Sequence, residues 1–172
     1  TDISKGDGIS YRIERIVRHS QYSNKRLPHD PNMFANDIAL IRIVADERTQ
    51  GVPDPKNVRP IALNDKPVPA GAVVAATGWG KLEVAEDDRP SAVMMRVVMQ
   101  VMDNTRCQKL PNYGPQRITD RVICAADAGR STCRGDSGGA LTLAAGPTPV
   151  MVGIVSWGKG KCSGDGQPGA VR

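Results

Sequence analysis

Residues 133–139 read Cys133-Arg134-Gly135-Asp136-Ser137-Gly138-Gly139, a serine set among three glycines. Glycine carries no Cβ and takes backbone angles closed to other residues, so the hydroxyl of Ser137 has little steric cover. A glycine at 135 also lets its own N–H and that of Ser137 converge on one point. Two converging N–H groups stabilise an oxyanion that develops during acyl transfer, each worth roughly 10²–10³ in rate. Taken alone, the same residues read more readily as a glycine-rich turn with a capping serine.

Outward from this segment the chain alternates short Val/Ile-rich runs with turn residues. Strands are expected over 9–18 and 36–44, with further strand signals at 72–77, 92–102, 121–126, 139–144 and 150–157. Residues 103–110 open on Asp103 as a candidate N-cap and predict one short helix. The polar stretch from Ser20 to Ala35, with Pro28 and Pro31, reads as a loop. Residues 45–60 carry Asp46, Glu47, Gly51, Pro53, Pro55 and Pro60 and form the candidate linker between two lobes. Met94, Met95, Met99 and Met102 read as core packing rather than as an oxidation sensor. Short strands with turns between them indicate an all-β sandwich or barrel, not βαβ units.

A chain of 172 residues suffices for one good domain or two small ones. Its 40% hydrophobic content is too high for disorder, and no apolar run approaches the ~18–20 residues of a membrane-spanning helix. Aromatics are only 3%, which leaves the core to Val, Ile, Leu, Met and Ala. The net charge of +5 is compatible with polyanion binding. However, the densest basic group, Arg12, Arg15 and Arg18, is interleaved with Ile13, Ile16 and Val17, so it reads as the solvent face of a strand. Nucleic acid is therefore not an expected partner. The four cysteines, Cys107, Cys124, Cys133 and Cys162, show no C-x-x-C spacing, and only two histidines are present to complete a metal cluster. An even count at wide spacing predicts two disulfides in a secreted protein, in any of three connectivities. No signal peptide is visible, so export is inferred from the cysteines.

Four segments together resemble one family. Asn36-Asp37-Ile38-Ala39-Leu40, Gly78-Trp79-Gly80, Gly135-Asp136-Ser137-Gly138-Gly139 and Ser156-Trp157-Gly158 follow the order and approximate spacing of the trypsin-like serine proteases. The four cysteines also fall where that family has them, and the resemblance covers nearly the whole chain. It implies an all-β, two-barrel fold with the first barrel incomplete. Residues 1–62 would be the C-terminal part of the first barrel plus the linker. Residues 63–172 would be the second barrel, lacking its last strand and C-terminal helix. By the same resemblance Ser137 is the nucleophile, and Asp37 is the carboxylate that orients the catalytic imidazole. Gly135 and Ser137 supply the oxyanion hole, and Asp136 receives the N-terminal ammonium made by zymogen cleavage. Ser156, Trp157 and Gly158 pair with substrate backbone, and the implied disulfides are Cys107–Cys124 and Cys133–Cys162. No metal or cofactor is implied. The expected partners are protein or peptide substrates and serine protease inhibitors, acting on a monomer with no membrane span.

The chain departs from the family pattern at several points. The family's base is a histidine in an Ala-Ala-His-Cys context, which this sequence lacks; its only histidines are His19 and His29. The activating Ile-Val-Gly-Gly-like terminus is also absent, which leaves Asp136 without an intrachain ammonium. Pro168-Gly169-Ala170-Val171 matches a pattern that normally carries Tyr where Val171 stands. The expectation is a fragment of an endopeptidase that is inactive over these 172 residues. A non-catalytic secreted homologue acting as a binding module is the alternative. Ser131, six residues before Ser137, stands where the family has the floor of its primary pocket, with Gly158 and Gly169 at the walls. An uncharged floor implies chymotrypsin-like preference for large apolar side chains. Arg134 and Lys159 read as ordinary solvated charges near the pocket mouth. Asp127 and Asp165 lie in flanking loops, and if these reach the pocket a trypsin-like preference follows.

Overall fold

The computed structural model describes residues 5, 11–22, 34–44, 58–82, 89–111, 113–158, 162 and 169–171. Its strands are β1 (Ile13–Arg18), β2 (Ala39–Ile43), β3 (Ala62–Leu63), β4 (Val73–Gly78), β5 (Met95–Met102), β6 (Ile123–Ala126), β7 (Ala140–Leu143), β8 (Val150–Gly158) and β9 (Gly169–Val171). A short helix, α1 (Asn104–Gln108), lies between β5 and β6. The strands expected from alternation are present, most with trimmed ends, while β4 and β8 each run one residue past the expected end. The two shortest, β3 and β9, are additions, being too brief to show any period.

Strands β4 to β9 form a ring. Neighbours run β8-β7-β4-β5-β6-β9, and β9 pairs both with β6 and back onto β8. Closing a sheet on itself removes the unpaired edges that an open sheet leaves to solvent. The interior is filled by Val74, Ala76, Met99, Val101, Ala125, Leu141 and Val155, all buried. Each large apolar side chain buried there contributes on the order of 1.5–3 kcal/mol. β3 adds to the outside of β8 in parallel register, Ala62 opposite Val150.

A second cluster sits where α1 meets β6. Cys107, Tyr113, Ile118 and Cys124 are buried there, with Met102, Leu110, Val122 and Trp157 packed around them. The Cys107–Cys124 disulfide runs through this cluster, and Cys133–Cys162 forms the other bridge. Asp103 caps α1, its Oδ1 accepting from the Arg106 N–H at 3.1 Å.

Two expectations about burial are corrected. Met99 is buried and Met102 packs in the second cluster, but Met94 and Met95 are exposed. Register explains the difference: β7 covers β4 only over Val74–Ala76, while Met95 and Arg96 pair with Gly78 and Thr77 beyond that reach. At that end of β5 the described sheet is only two strands wide, β4 and β5.

The second correction concerns β1, where a basic solvent face was expected to alternate with an apolar interior. β1 and β2 form a two-stranded antiparallel ribbon, with Val17 opposite Leu40 and a register shift between Ile13 and Arg15. All of β1 is exposed, the apolar Ile13, Ile16 and Val17 included. No described element packs over the ribbon, so hydrophobicity alone does not bury these side chains. Most of the candidate linker, residues 45–57, lies outside the described residues.

Candidate active site

The 133–139 segment folds as two consecutive turns. The Asp136 N–H donates to the Cys133 carbonyl at 3.1 Å, and the Gly139 N–H donates to the Asp136 carbonyl at 2.9 Å. Ser137 stands exposed on the second of these turns. Gly135 has φ +99°, a conformation L side chains rarely adopt, and a Cβ there would come within 3.1 Å of the Gly80 Cα. The loop is fastened to β8 by two hydrogen bonds of 2.8 Å, Gly138 N–H to Val155 O and Val155 N–H to Gly139 O. Neither the Gly135 nor the Ser137 amide donates to a protein acceptor among the described residues.

Asp136 is turned away from Ser137 and into the ring's wall. Its Oδ1 accepts from the Gly80 N–H and its Oδ2 from the Cys133 N–H, both at 2.9 Å. Glycine at 78 and 80 makes room for it. A Cβ on Gly80 would lie 2.5–2.6 Å from the carboxylate, and one on Gly78 would overlap Oδ1. Asp136 thus lines a cavity of about 340 Å³ together with Lys81, Met95, Arg96, Arg130 and Ser131. The Gly78-Trp79-Gly80 motif, a family marker in the sequence, has a steric reason here.

Asp37 enters from the ribbon. It follows Asn36, whose φ of +56° turns the chain sharply into β2, and the Ile38 N–H closes that turn on the Asn36 carbonyl at 2.8 Å. The half-buried Asp37 Oδ2 accepts from the Ser156 hydroxyl at 2.6 Å, across 119 residues of sequence. A hydroxyl donating to a carboxylate at this distance is a short, charge-assisted bond. Asp37 and Ser137 line one cavity of about 390 Å³, with Arg18, Tyr22, Ile41 and Ile154 among its other walls.

His19 does not reach that cavity. Its Nδ1 accepts from the Gln21 N–H at 3.2 Å, and it lines a separate polar groove with Arg15 and Arg18. His29 lies outside the described residues. Among the described residues, then, no imidazole lies between Asp37 and Ser137.

The other site residues fall as follows. Ser156, Trp157 and Gly158 end β8, with β9 paired on one edge. On the other edge the β7 ladder stops at Ile154 and the Ser137 loop takes Val155, so no described strand pairs with residues 156–158 there. Trp157 packs against Tyr113 with ring centroids 5.5 Å apart. Gly158 and Gly169 are register partners. Half-buried Ser131 donates its hydroxyl to the Cys162 carbonyl at 2.6 Å, and it lines the Asp136 cavity. The Asp127 carboxylate accepts from the Ala128 N–H at 2.8 Å, within its own turn. Arg134 is exposed, and Lys159 and Asp165 lie outside the described residues. Among the described residues no group of three or more His, Cys, Asp or Glu is placed to hold a metal, and no helix is long and apolar enough to cross a membrane.

One contact had no signal in the sequence. Arg121 Nη1 donates to Asn36 Oδ1 at 3.1 Å, joining residues 85 apart.

The family model described as Trypsin matches residues 1–172. The chain belongs to the trypsin family. It is 30% identical over 169 residues to Trypsin-1 of Astacus astacus, covering 97% of this chain and 64% of that protein. It is 31% identical over 163 residues to Trypsin delta of Drosophila erecta, covering 94% and 57%. The chain thus spans about three-fifths of the length of these two trypsins. Among solved structures it superposes on neuropsin, a serine protease expressed in the limbic system of mouse brain, with a TM-score of 0.77. That match covers 99% of this chain and 69% of neuropsin at 22% identity. The all-β ring and ribbon are the trypsin-like serine protease fold, as the four motif segments implied.

Proposed function

We propose that the protein is a secreted serine endopeptidase acting on protein or peptide substrates through an acyl-enzyme at Ser137. The observation that carries this reading is that Asp37, held by the Ser156 hydroxyl, lines the same cavity as Ser137. In the reaction Ser137 Oγ attacks the scissile carbonyl carbon and its proton passes to a base. That proton then goes to the leaving amine as the C–N bond breaks, and water hydrolyses the acyl ester. Asp37 orients and supports the imidazole base. The Gly135 and Ser137 N–H groups, neither bonded to an acceptor among the described residues, receive the oxyanion. Asp136, fixed by two amides, holds the loop in the shape that presents them. The free edge of residues 156–158 takes the substrate backbone as an added strand. In this division residues 1–62 belong to the first barrel and linker, and residues 63–172 to the second.

With no described imidazole beside Asp37, the expectation for the 172-residue chain by itself is hydrolysis only at the residual level left when a triad member is removed. The neutral Ser131, its hydroxyl donated to Cys162, supports preference for large apolar side chains over Lys or Arg. The test is hydrolysis of peptide anilides bearing Phe, Leu or Arg at the cleavage position by the full-length gene product, beside Ser137→Ala. Faster cleavage after Phe and Leu is expected, with a loss of at least about 10³-fold in the variant. Faster cleavage after Arg overturns the Ser131 reading, and an undiminished Ser137→Ala overturns the nucleophile. A folded product that cleaves none of the three is the binding-module outcome.

A further inference from the structure

We propose that Arg121 is a positioning residue for Asp37, acting through Asn36 as a second tether between ribbon and ring. The proposal rests on the reading of Asp37 as the carboxylate of the site. Asp37 belongs to the β1–β2 ribbon, which shares no strand pairing with the ring. Its placement against Ser156 therefore depends on side-chain bonds between the two units. Two are seen among the described residues: Ser156 Oγ to Asp37 Oδ2, and Arg121 Nη1 to Asn36 Oδ1. They grip adjacent residues, whose Cα atoms are held about 3.8 Å apart. One bond alone lets the segment pivot, and two fix its direction.

Both ends of the second tether are built to be rigid. Arg121 sits in a turn whose Val122 N–H donates to the Thr119 carbonyl at 3.1 Å. The Arg121 N–H itself donates to Thr119 Oγ1 at 3.3 Å. Asn104 Nδ2 donates to the carbonyls of Thr119 and Val122 at 2.9 and 3.2 Å, pinning that turn to α1. Two residues beyond Val122, Cys124 is bridged to Cys107. On the ribbon side, the Asn36 amide uses both of its ends: Oδ1 accepts from Arg121, and Nδ2 donates to the Gln21 carbonyl at 3.2 Å. An amide does this where a carboxylate, having no donor, does not. Asn is also among the few residues that tolerate the left-handed φ of +56° seen here. Glycine would take the angle but lose the brace.

The direct test is carbon NMR of the full chain labelled with ¹³C-aspartate, reading the Asp37 carboxyl resonance, assigned by its disappearance in Asp37→Asn. Ser156→Ala gives the position of this resonance without the hydroxyl. Arg121→Ala is expected to move it most of the way to that position. Arg121→Lys should keep it near the parent value, since one donor suffices at Asn36 Oδ1. Asn36→Gly should match Arg121→Ala, and the double variant should go no further. In the active full-length product Arg121→Ala should lower kcat by about 3- to 10-fold, with KM within about twofold. A resonance unmoved in Arg121→Ala but moved in Ser156→Ala overturns the tether. So does an equal shift in Arg121→Ala and Arg121→Lys with lower thermal stability in both, which marks a merely structural role. The resonance needs no turnover, so an active Ser137→Ala would sink the proposed reaction and leave this comparison standing. The converse also holds.

Discussion

In β4 the run Val74-Ala75-Ala76 is buried, whereas in β2 Leu40 and Ile41 are 70% and 58% exposed. Both segments are short, apolar and paired in antiparallel register. What separates them is the layer behind: β4 lies between β5 and β7 in a closed ring with a filled interior, while β2 has only β1. A two-stranded ribbon is marginal by itself. Yet the ribbon carries Asp37 and the ring carries Ser137 and Ser156, so the candidate site is divided between a stable unit and a weakly supported one. The contacts joining them, Asp37–Ser156 and Asn36–Arg121, consequently matter more to the site than their place at the surface suggests.

The sharpest way to break this comparison is to make the same deletion in both units. Leu141→Ala in the ring should cost about 2–5 kcal/mol, since it opens a cavity in a packed interior. Leu40→Ala in the ribbon should stay within about 0.5 kcal/mol. Urea titration followed by near-ultraviolet circular dichroism reads both, and equal losses would contradict the account. Next in size, replacing Cys133 and Cys162 together by Ser should cost about 3–4 kcal/mol for a loop closed across 29 residues. Gly80→Ala drives a methyl into the Asp136 carboxylate and should cost about 1–3 kcal/mol. That loss should appear as a lower thermal midpoint, with slower hydrolysis by the full-length product. The smallest stability effect belongs to Leu40→Lys, within about 0.5 kcal/mol. Because exposed apolar patches promote association, this change should still reduce concentration-dependent self-association of the 172-residue chain in sedimentation velocity. No change in sedimentation would mean that the exposed ribbon does not drive contacts.

The division between units also explains what was legible in the sequence. Alternation revealed β1, β2 and the longer strands of the ring, and the Asp103 cap revealed α1, because those signals are local. β3 and β9 are two and three residues long, too short for a period. The exposure of Ile16 and Leu40 was not legible, since alternation reports which side chains share a face and not whether another layer covers it. In the site, Ser137 and Asp37 were marked by motif, and Ser156 by its place beside Trp157. The room that Gly78 and Gly80 leave for Asp136 was hidden because it spans 56 residues between Gly80 and Asp136. The Asn36–Arg121 bond was hidden for the same reason: Asn36 opens a motif, but it lies 85 residues away and nothing around Arg121 points back to it.

The central claim is that Ser137 is a nucleophile in a site assembled from both units. Labelling with diisopropyl fluorophosphate, followed by peptide mass mapping, tests it most directly. The account predicts one adduct per molecule of the full-length gene product, on Ser137, formed much more slowly in Asp37→Asn and in the 172-residue chain alone. A folded full-length product that takes up no label, or takes it up on another residue, would contradict it.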